Sequence, residues 1–143
     1  MNSKPILIIT GEPFGIFSEL LFKTFRKKKI KKPIVVIASI KLLKKQLKYL
    51  NYKISFNLIK ENFKLSDLKK NKINVINVNL KFKKTFDKIS NSSNMYIKEC
   101  FDLALKLMNK NLFVGLINGP VSKKHLLKFK FNGITEYLAK KTK

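Results

Sequence analysis

The sequence is poor in the residues that usually carry chemistry. Its 143 residues include one cysteine, one histidine, no tryptophan and only 8 aspartates and glutamates. A single Cys100 cannot form an internal disulfide, which fits the reducing cytoplasm where we expect the protein to work. No Cys/His cluster, no Ser/His/Asp set and no pair of carboxylates stands out in the sequence. The residues alone therefore predict no catalytic group and no metal ligand.

Long hydrophobic runs are also missing, although hydrophobic residues make up 45% of the chain. A membrane-spanning helix needs about 18 or more consecutive apolar residues, and no segment reaches that length. The N-terminal residues do not follow the pattern of a signal peptide. Apolar residues nevertheless recur along the whole chain, so we expect one globular domain, or a part of a larger one, and not a disordered polypeptide.

Negative charge is scarce, and the chain carries a net charge of +24 from 32 lysines and arginines against 8 acids. Such a charge raises nucleic-acid binding as a hypothesis. Arg26 is the only arginine, however, whereas readout of bases and phosphates favours the bidentate arginine fork. We therefore attribute the lysines to a compositional bias and expect no specific nucleic-acid partner. A Lys-rich nucleic-acid-binding α/β module stays the alternative, and its affinity would fall steeply with salt.

Apolar patterns alternate between strand and helix along the chain. Residues 5–10 (PILIIT), 33–39 (PIVVIAS) and 112–118 (LFVGLIN) are continuous β-prone runs, typical of strands that are buried on both faces. Further predicted elements are strands at 53–59 and 73–80, helices around 17–25, 42–50 and 97–108, a short helix from Ser122 to about Phe129, and a last helix from about Thr135 to Lys143. This alternation predicts an α/β fold of three layers, α/β/α, with a mostly parallel sheet.

Three segments could contact a ligand at the carboxyl ends of these strands. In 11–15 (GEPFG), the start of a helix could meet an anion, although a tight turn that requires glycine explains the segment more simply. In 118–125 (NGPVSKKH), Lys123 lies in a first helical turn, where its charge is unfavourable unless an anion compensates it; an ordinary exposed lysine is the alternative. In 131–139 (FNGITEYLA), Thr135 can cap the last helix and present its hydroxyl to a cleft.

Taken together, these segments resemble the 4-hydroxythreonine-4-phosphate dehydrogenases, the PdxA family. GEPFGIFSEL resembles the family's opening G-D/E-P-x-G-I-G-P-E, and INGPVSKK resembles its central G-P-V/I-x-K. FNGITEYLA resembles its G-H-T-E-F/Y-L-A. The three motifs occur in the family's order and span residues 10–139, which is far more specific than any one motif alone.

The resemblance implies that residues 1–143 are the N-terminal portion of a two-domain subunit, similar to isocitrate and isopropylmalate dehydrogenases, with an incomplete sheet and without the second half. It implies a cytoplasmic homodimer that uses NAD or NADP to oxidise and decarboxylate 4-phosphohydroxy-L-threonine in pyridoxal 5'-phosphate (vitamin B6) biosynthesis. A divalent metal such as Zn, Mg or Co would polarise the substrate oxygens in the full-length family member. The family's metal-binding histidines and most of its cofactor site come from downstream segments, so we expect the isolated chain to be inactive and to bind neither cofactor tightly. An inactive remnant of the dehydrogenase is a further alternative.

The resemblance also assigns individual residues to the substrate site. Thr135 matches a substrate-binding threonine, and Lys123 and Glu12 match motif positions that we expect in the same pocket. Ile134 stands where the family has a substrate-contacting histidine, which removes a polar contact, and Phe14 replaces a small residue in the first loop. We expect Glu12, Lys123 and Thr135 to surround one cleft that binds a phosphorylated hydroxy amino acid. Cofactor-binding residues stay unassigned.

Overall fold

The computed structural model describes residues 4–27, 30–128 and 130–142. Within these residues the strands are β1 (Ile6–Ile9), β2 (Ile34–Ala38), β3 (Phe56–Ile59), β4 (Ile73–Asn77) and β5 (Gly115–Asn118). The α-helices are α1 (Phe17–Lys27), α2 (Ile40–Tyr49), α3 (Asn94–Met108) and α4 (Ile134–Lys141). None of the helices in this part of the chain combines the length and the apolar surface needed to cross a membrane.

The strands form one parallel sheet in the order β3-β4-β2-β1-β5. The predicted α/β class and the three most clearly predicted strands are therefore confirmed. In the centre of the sheet, Ile8 of β1 lies opposite Val36 of β2 and Ile117 of β5. All five residues of β2 are buried, which explains why its sequence is continuously apolar and does not alternate.

Helices cover both faces of the sheet. On one face, Phe22 of α1 and Leu43 of α2 pack against Ile8. On the other face, Phe101 of α3 packs in the cluster that contains Leu7. Leu7 and Ile8 thus point to opposite layers, as successive residues of a strand must. Full burial of such a side chain stabilises the fold by about 1.5–3 kcal/mol, so the two clusters hold the three layers together.

The structure corrects the prediction for β5. We expected a buried strand over residues 112–118, but the strand begins at Gly115 and forms an edge of the sheet. Ile117 is 50% exposed as a result. An apolar run has the same sequence pattern at an edge as in the centre, because the pattern does not specify the neighbouring strands. The predicted strands at 53–59 and 73–80 are also shorter, as the bounds of β3 and β4 show.

Of two predicted helix starts, one differs from the structure and one is confirmed. Thr135 does not cap the last helix, because Gly133 is the N-cap and Thr135 is the second residue of α4. Ser122 does cap the segment that follows it, since its hydroxyl accepts a hydrogen bond from His125 N at 3.2 Å. That segment is a single π-helical turn at Lys123–Leu127 and not a longer helix. The ends predicted at Phe129 and Lys143 lie outside the described residues.

A short capped turn leads into α3. A 3₁₀ turn at Asn91–Ser93 precedes the helix, and Ser90 caps this turn by accepting a hydrogen bond from Ser92 N at 3.3 Å. The N-cap of α3 itself is Ser93, whose hydroxyl is used elsewhere. The polar residues that precede α3 therefore form a short structured segment at the carboxyl edge of the sheet, where a ligand site of this fold class is expected.

Candidate active site

The first two motif loops meet at the carboxyl ends of β1 and β5. The backbone N–H of Glu12 donates to Pro120 O at 2.9 Å, and the N–H of Gly119 donates to Ile9 O at 2.7 Å. Because β1 and β5 are parallel neighbours, the loops that leave them emerge side by side. The expected convergence of these two segments is therefore observed.

Two glycines allow the loops to cross. Gly11 has φ +70°, a conformation that other residues rarely adopt, and a Cβ at this position would lie 2.7 Å from Gly119 C. A Cβ on Gly119 would lie 2.7 Å from Thr10 C and 2.9 Å from Phe17 Cδ2. Each glycine leaves space for the backbone of the other loop, so the two turns form one unit.

Glu12 is held inside this unit. The residue is 3% exposed, and its Oε1 accepts a hydrogen bond from Ser93 Oγ at 2.6 Å. Its other oxygen, Oε2, has no hydrogen-bond partner in the described part of the chain. Burial raises the pKa of Glu12, and the Ser93 hydrogen bond and the nearby His125 oppose that increase. Glu12 thus links the first loop to the start of α3.

The space beside Glu12 is small. A cavity of about 10 Å³ is lined by Glu12, by Ser18 at the start of α1 and by Tyr96 of α3. A single water molecule needs roughly 10–15 Å³ of such space. The cavity is therefore too small for a substrate.

The second loop is fastened to the same helix start as the first. Asn94 Nδ2 donates to His125 O at 2.7 Å, and His125 Nδ1 lies 3.1 Å from Asn91 Oδ1. The first turn of α3 thus positions both loops. The sequence predicts no role for this region, and the polar run Asn-Ser-Ser-Asn at 91–94 is the signal that could have indicated one.

Lys123 and Thr135 are exposed, in contrast to Glu12. Lys123 opens the π-helical turn beside the second loop. Ile134 is half-buried and packs against the cluster on the α3 face of the sheet. Tyr137 fixes α4 on α3, with its ring centroid 5.9 Å from that of Phe101. Among the described residues no hydrogen bond joins Thr135 or Lys123 to Glu12, so their sharing of one substrate cleft stays a prediction.

An open groove lies beside the first loop. It has a volume of about 380 Å³, and its walls include Phe14 of the first motif, Leu80 and Phe82. Lys81 and Lys83 add two positive charges to this apolar surface, and Asp87 adds one negative charge. Ligand sites commonly combine apolar walls with a few charged groups in volumes of about 300–1,000 Å³. No sequence pattern distinguishes the loop after β4, because Lys81 and Lys83 resemble the many other lysines of the chain.

A cation would find few ligands in this part of the molecule. Across residues 4–27, 30–128 and 130–142, no three His, Cys, Asp or Glu side chains come together as a metal site would require. The buried Glu12 is paired with a serine hydroxyl, and the single His125 faces an asparagine. The polar groups of the crossed loops therefore serve to position backbone, and the exposed lysines around them favour anions.

Sequence comparison decides the family of this chain. The model of the family described as "Pyridoxal phosphate biosynthetic protein PdxA" matches residues 29–143. The chain belongs to the PdxA family. The match contains the second and third motifs. The first motif loop lies N-terminal to the matched residues, and it crosses the second motif loop in the structure.

Relatives of this PdxA chain are more than twice as long. One relative is a protein of Oceanobacillus iheyensis that is named as a putative D-threonate 4-phosphate dehydrogenase. The two sequences are 28% identical in an alignment of 148 residues, gaps included, which covers 99% of this chain and 45% of that protein. The crystal structure of a 4-hydroxythreonine-4-phosphate dehydrogenase from Burkholderia phymatum matches with a TM-score of 0.79 and 19% identity, over 95% of this chain and 42% of that one. The crystal structure of the enzyme of the same name from Klebsiella pneumoniae matches with a TM-score of 0.77 and 21% identity, over 96% of this chain and 44% of that one. These structures confirm the fold.

The buried Glu12 is expected to make stability depend on pH. Because burial raises the pKa of Glu12 in the folded state, the folded chain binds a proton more tightly than the unfolded chain. Between the two pKa values the folded state carries more protons, so the free energy of unfolding falls as the pH rises. The Glu12→Gln variant has no ionisable group at this position, so it lacks this pH-dependent contribution to the free energy of unfolding. Its stability relative to the wild type, measured by urea unfolding, should increase from about pH 4.5 upward and then level off.

A Ser93→Ala variant provides the control for this result. Removing the hydroxyl takes away the hydrogen bond that opposes the shift, so the pKa of Glu12 should rise further. The pH range over which stability falls should then extend to higher pH. An unchanged profile in both variants would contradict the burial of an ionisable Glu12.

Proposed function

We propose that this chain forms part of an NAD-dependent, divalent-metal-assisted oxidoreductase that oxidises and decarboxylates 4-phosphohydroxy-L-threonine in pyridoxal 5'-phosphate biosynthesis. The observation that supports this proposal best is the crossing of the loops 11–15 and 118–122 at the carboxyl edge of a parallel sheet, in a chain of the PdxA family. Ligands of open α/β sheets bind at this edge. The family and the geometry thus favour the same location for the substrate.

The substrate's phosphate is the group that these residues are best suited to bind. Lys123 is an exposed cation at the start of the turn that follows the second loop, and Lys81 and Lys83 line the groove beside the first loop together with Asp87. The names of the solved structures contain 4-hydroxythreonine-4-phosphate, and the name of the Oceanobacillus protein contains D-threonate 4-phosphate. Both compounds are hydroxylated acids with a phosphate at position 4. A phosphate site is the feature that both substrates would share.

The third motif is expected to recognise the substrate differently from the family pattern. Ile134 supplies an apolar side chain where the family has a histidine, and it packs toward the core. Thr135 beside it keeps a hydroxyl at the exposed start of α4. Recognition of the substrate by the third motif would therefore depend more on Thr135.

The cofactors belong to the same proposal, with NAD or NADP as hydride acceptor and a divalent cation such as Zn, Mg or Co. The described residues do not by themselves make up a site for that cation. We therefore assign cofactor binding to portions of the longer relatives that have no counterpart in this chain. Homodimerisation and a cytoplasmic location are also part of the proposal and rest on the family resemblance.

Binding of 4-phosphohydroxy-L-threonine to the isolated chain tests the substrate site. In a ¹H–¹⁵N NMR titration, we expect chemical-shift changes at residues 11–15, at 118–123 and at Thr135, with weak affinity because only part of the cleft is present. Lys123→Ala should weaken binding by about fivefold, which corresponds to roughly 1 kcal/mol for an exposed ionic contact. Unphosphorylated 4-hydroxy-L-threonine should bind more weakly still.

A Lys48→Ala variant is the matched control, because it removes the same charge from an exposed position in the last turn of α2. Its affinity should equal that of the wild type. Equal weakening by both variants would mean that the ligand responds only to net charge. Shift changes confined to other surfaces would place the ligand elsewhere and defeat the proposal.

A further inference from the structure

Acidic residues are missing from a long stretch of the sequence. The chain has 8 aspartates and glutamates, and none of them lies in residues 20–60, which contain most of α1 and the whole of α2. The composition of the chain explains its many lysines, but it does not determine where the few acids lie. The helix α2 carries four lysines and no acid, whereas the two lysines of α3 are balanced by Glu99 and Asp102. Positive charge is therefore concentrated on the α2 face of the sheet.

The exposed side of α2 consists of lysines and one tyrosine. Leu42, Leu43 and Gln46 are buried against the rest of the protein. The exposed residues of the helix are Lys41, Lys44, Lys45, Lys48 and Tyr49. Like charges three or four residues apart repel each other on a helix, and a lysine in the first turn also opposes the helix dipole. The charges of α2 thus oppose its own stability, and an anionic ligand would compensate them.

Two aromatic contacts join α2 to the loop that follows β4. Lys45 Nζ lies 5.5 Å from the centroid of the Phe82 ring. The rings of Tyr49 and Phe86 meet with 5.4 Å between their centroids. The loop itself carries one acid, Asp87, and four exposed lysines, Lys81, Lys83, Lys84 and Lys88. The lysines of α2 therefore continue into a second basic segment, with aromatic rings between the two. The α2 basic surface is defined here as Lys41, Lys44, Lys45, Tyr49 and Phe86.

An exposed aromatic ring among lysines is the combination that binds single-stranded nucleic acid. Tyr49 is 73% exposed, and its contact with Phe86 holds it at the C-terminal end of α2. An unpaired base can stack on such a ring while the lysines contact the phosphates. An acidic peptide has no base to stack, so it would interact mainly with the lysines. Stacking and phosphate contacts do not read base sequence, which agrees with the presence of a single arginine in the chain.

We propose that the α2 basic surface binds single-stranded nucleic acid without preference for base sequence. Phosphates would lie at Lys41, Lys44 and Lys45, and one base would stack on Tyr49. The placement of charge on α2, the exposed tyrosine and the contacts to the loop after β4 all fit such a ligand. This binding goes beyond the proposed dehydrogenase function and does not depend on it, because the surface consists of α2 and its loop contact and not of the crossed loops.

Fluorescence anisotropy with the full chain and a labelled twelve-nucleotide oligouridine tests the base contact. At about 0.15 M salt we expect a dissociation constant of roughly 10⁻⁴–10⁻⁶ M, as for other sequence-independent binding. Oligothymidine DNA of the same length should bind within about twofold of the RNA, because both ligands offer unpaired bases and phosphates. Tyr49→Phe keeps the ring and should bind like the wild type. Tyr49→Leu keeps an apolar contact but cannot stack, so it should weaken binding at least about fivefold.

A pair of double variants tests the position of the phosphates. Lys41→Gln with Lys44→Gln should reduce the slope of log K against log salt by about 1.4, because each phosphate contact with a single strand contributes about 0.7. The matched control is Lys98→Gln with Lys110→Gln, which removes two exposed lysines from α3 and the turn after it. It should change the slope by less than about 0.5. Urea unfolding verifies that every variant is folded.

Three results would overturn the proposal. Equal effects of the two double variants would mean that nucleic acid responds only to the net charge of the chain. Equal binding by Tyr49→Leu and Tyr49→Phe, or no binding of oligouridine at millimolar concentration, would exclude a stacked base at this surface. A twelve-residue polyglutamate peptide that binds as tightly as oligouridine would show that an acidic polypeptide is the better ligand of the α2 basic surface.

Discussion

Replacing Gly11 with alanine is expected to lower the free energy of unfolding by about 3 kcal/mol. Two costs contribute to this loss. A residue with a Cβ is strained at φ +70°, which costs about 1–3 kcal/mol. The added Cβ would also contact the backbone of Gly119 and Pro120, and overpacking of this kind costs about 1–3 kcal/mol more.

Urea unfolding followed by circular dichroism measures this loss as a lower midpoint at an unchanged slope. Domains of this size are stable by only about 5–15 kcal/mol, so the variant should lose a large fraction of its stability. Gly119→Ala should behave similarly, because its Cβ would meet the backbone of Thr10 and the ring of Phe17.

Gly115→Ala is the control for these variants. Gly115 lies in β5, and a Cβ there would meet nothing within 4 Å. Alanine at such a strand position should be neutral or stabilising by up to about 1 kcal/mol, because it restricts the unfolded chain. Equal destabilisation by Gly11→Ala and Gly115→Ala would mean that the crossing of the two loops does not determine the requirement for glycine.

The centre of the fold could be predicted from the sequence because its elements have one-dimensional signatures. A strand that is covered on both faces must be apolar throughout, and β2 shows this with five buried residues in a row. The helix α3 repeats its apolar residues at helical spacing, so that Ile97, Phe101 and Ala104 all face the core. The sequence contains these patterns directly, and the alternation of strand and helix then determines a parallel sheet.

The edges of the sheet could not be predicted in the same way. Residues 112–118 are as apolar as a central strand, yet β5 has a neighbour on one side only. Strand order depends on contacts between segments that are distant in sequence, and local patterns do not report it. The missed start of β5 at Gly115 and the exposure of Ile117 have this common cause.

The candidate site could also be predicted only in part, because local patterns do not report contacts between distant segments. The meeting of loops 11–15 and 118–122 followed from the fold class, because parallel strands end at the same edge. The hydrogen bond between Glu12 and Ser93 did not follow, since 81 residues separate the partners. The sequence marked Glu12 as a motif position, and only the structure shows that its carboxyl group is buried at the base of the crossed loops.

The purified chain is expected to reduce no NAD above background when supplied with 4-phosphohydroxy-L-threonine and Zn²⁺, Mg²⁺ or Co²⁺. A metal that polarises the substrate oxygens needs about three protein ligands. The residues described offer no such group, and the whole sequence has one histidine and 8 acids. The chain also corresponds to only 45% of the length of its Oceanobacillus relative. Enzymes typically lower reaction barriers by about 8 kcal/mol or more, so an incomplete site should leave no measurable rate.

The assay follows the absorbance of NADH, and the Klebsiella pneumoniae enzyme in the same buffer shows that substrate and cofactor are competent. Substrate binding in the NMR titration without turnover in this assay is the expected combination, because Lys123 and the crossed loops are present whereas the residues that the structure describes form no complete metal site. NAD reduction by the chain that disappears in Lys123→Ala but persists in Lys48→Ala would refute this account. The residues of this chain would then carry the hydride-transfer chemistry themselves, and the assignment of metal and cofactor binding to other portions of the relatives would be wrong.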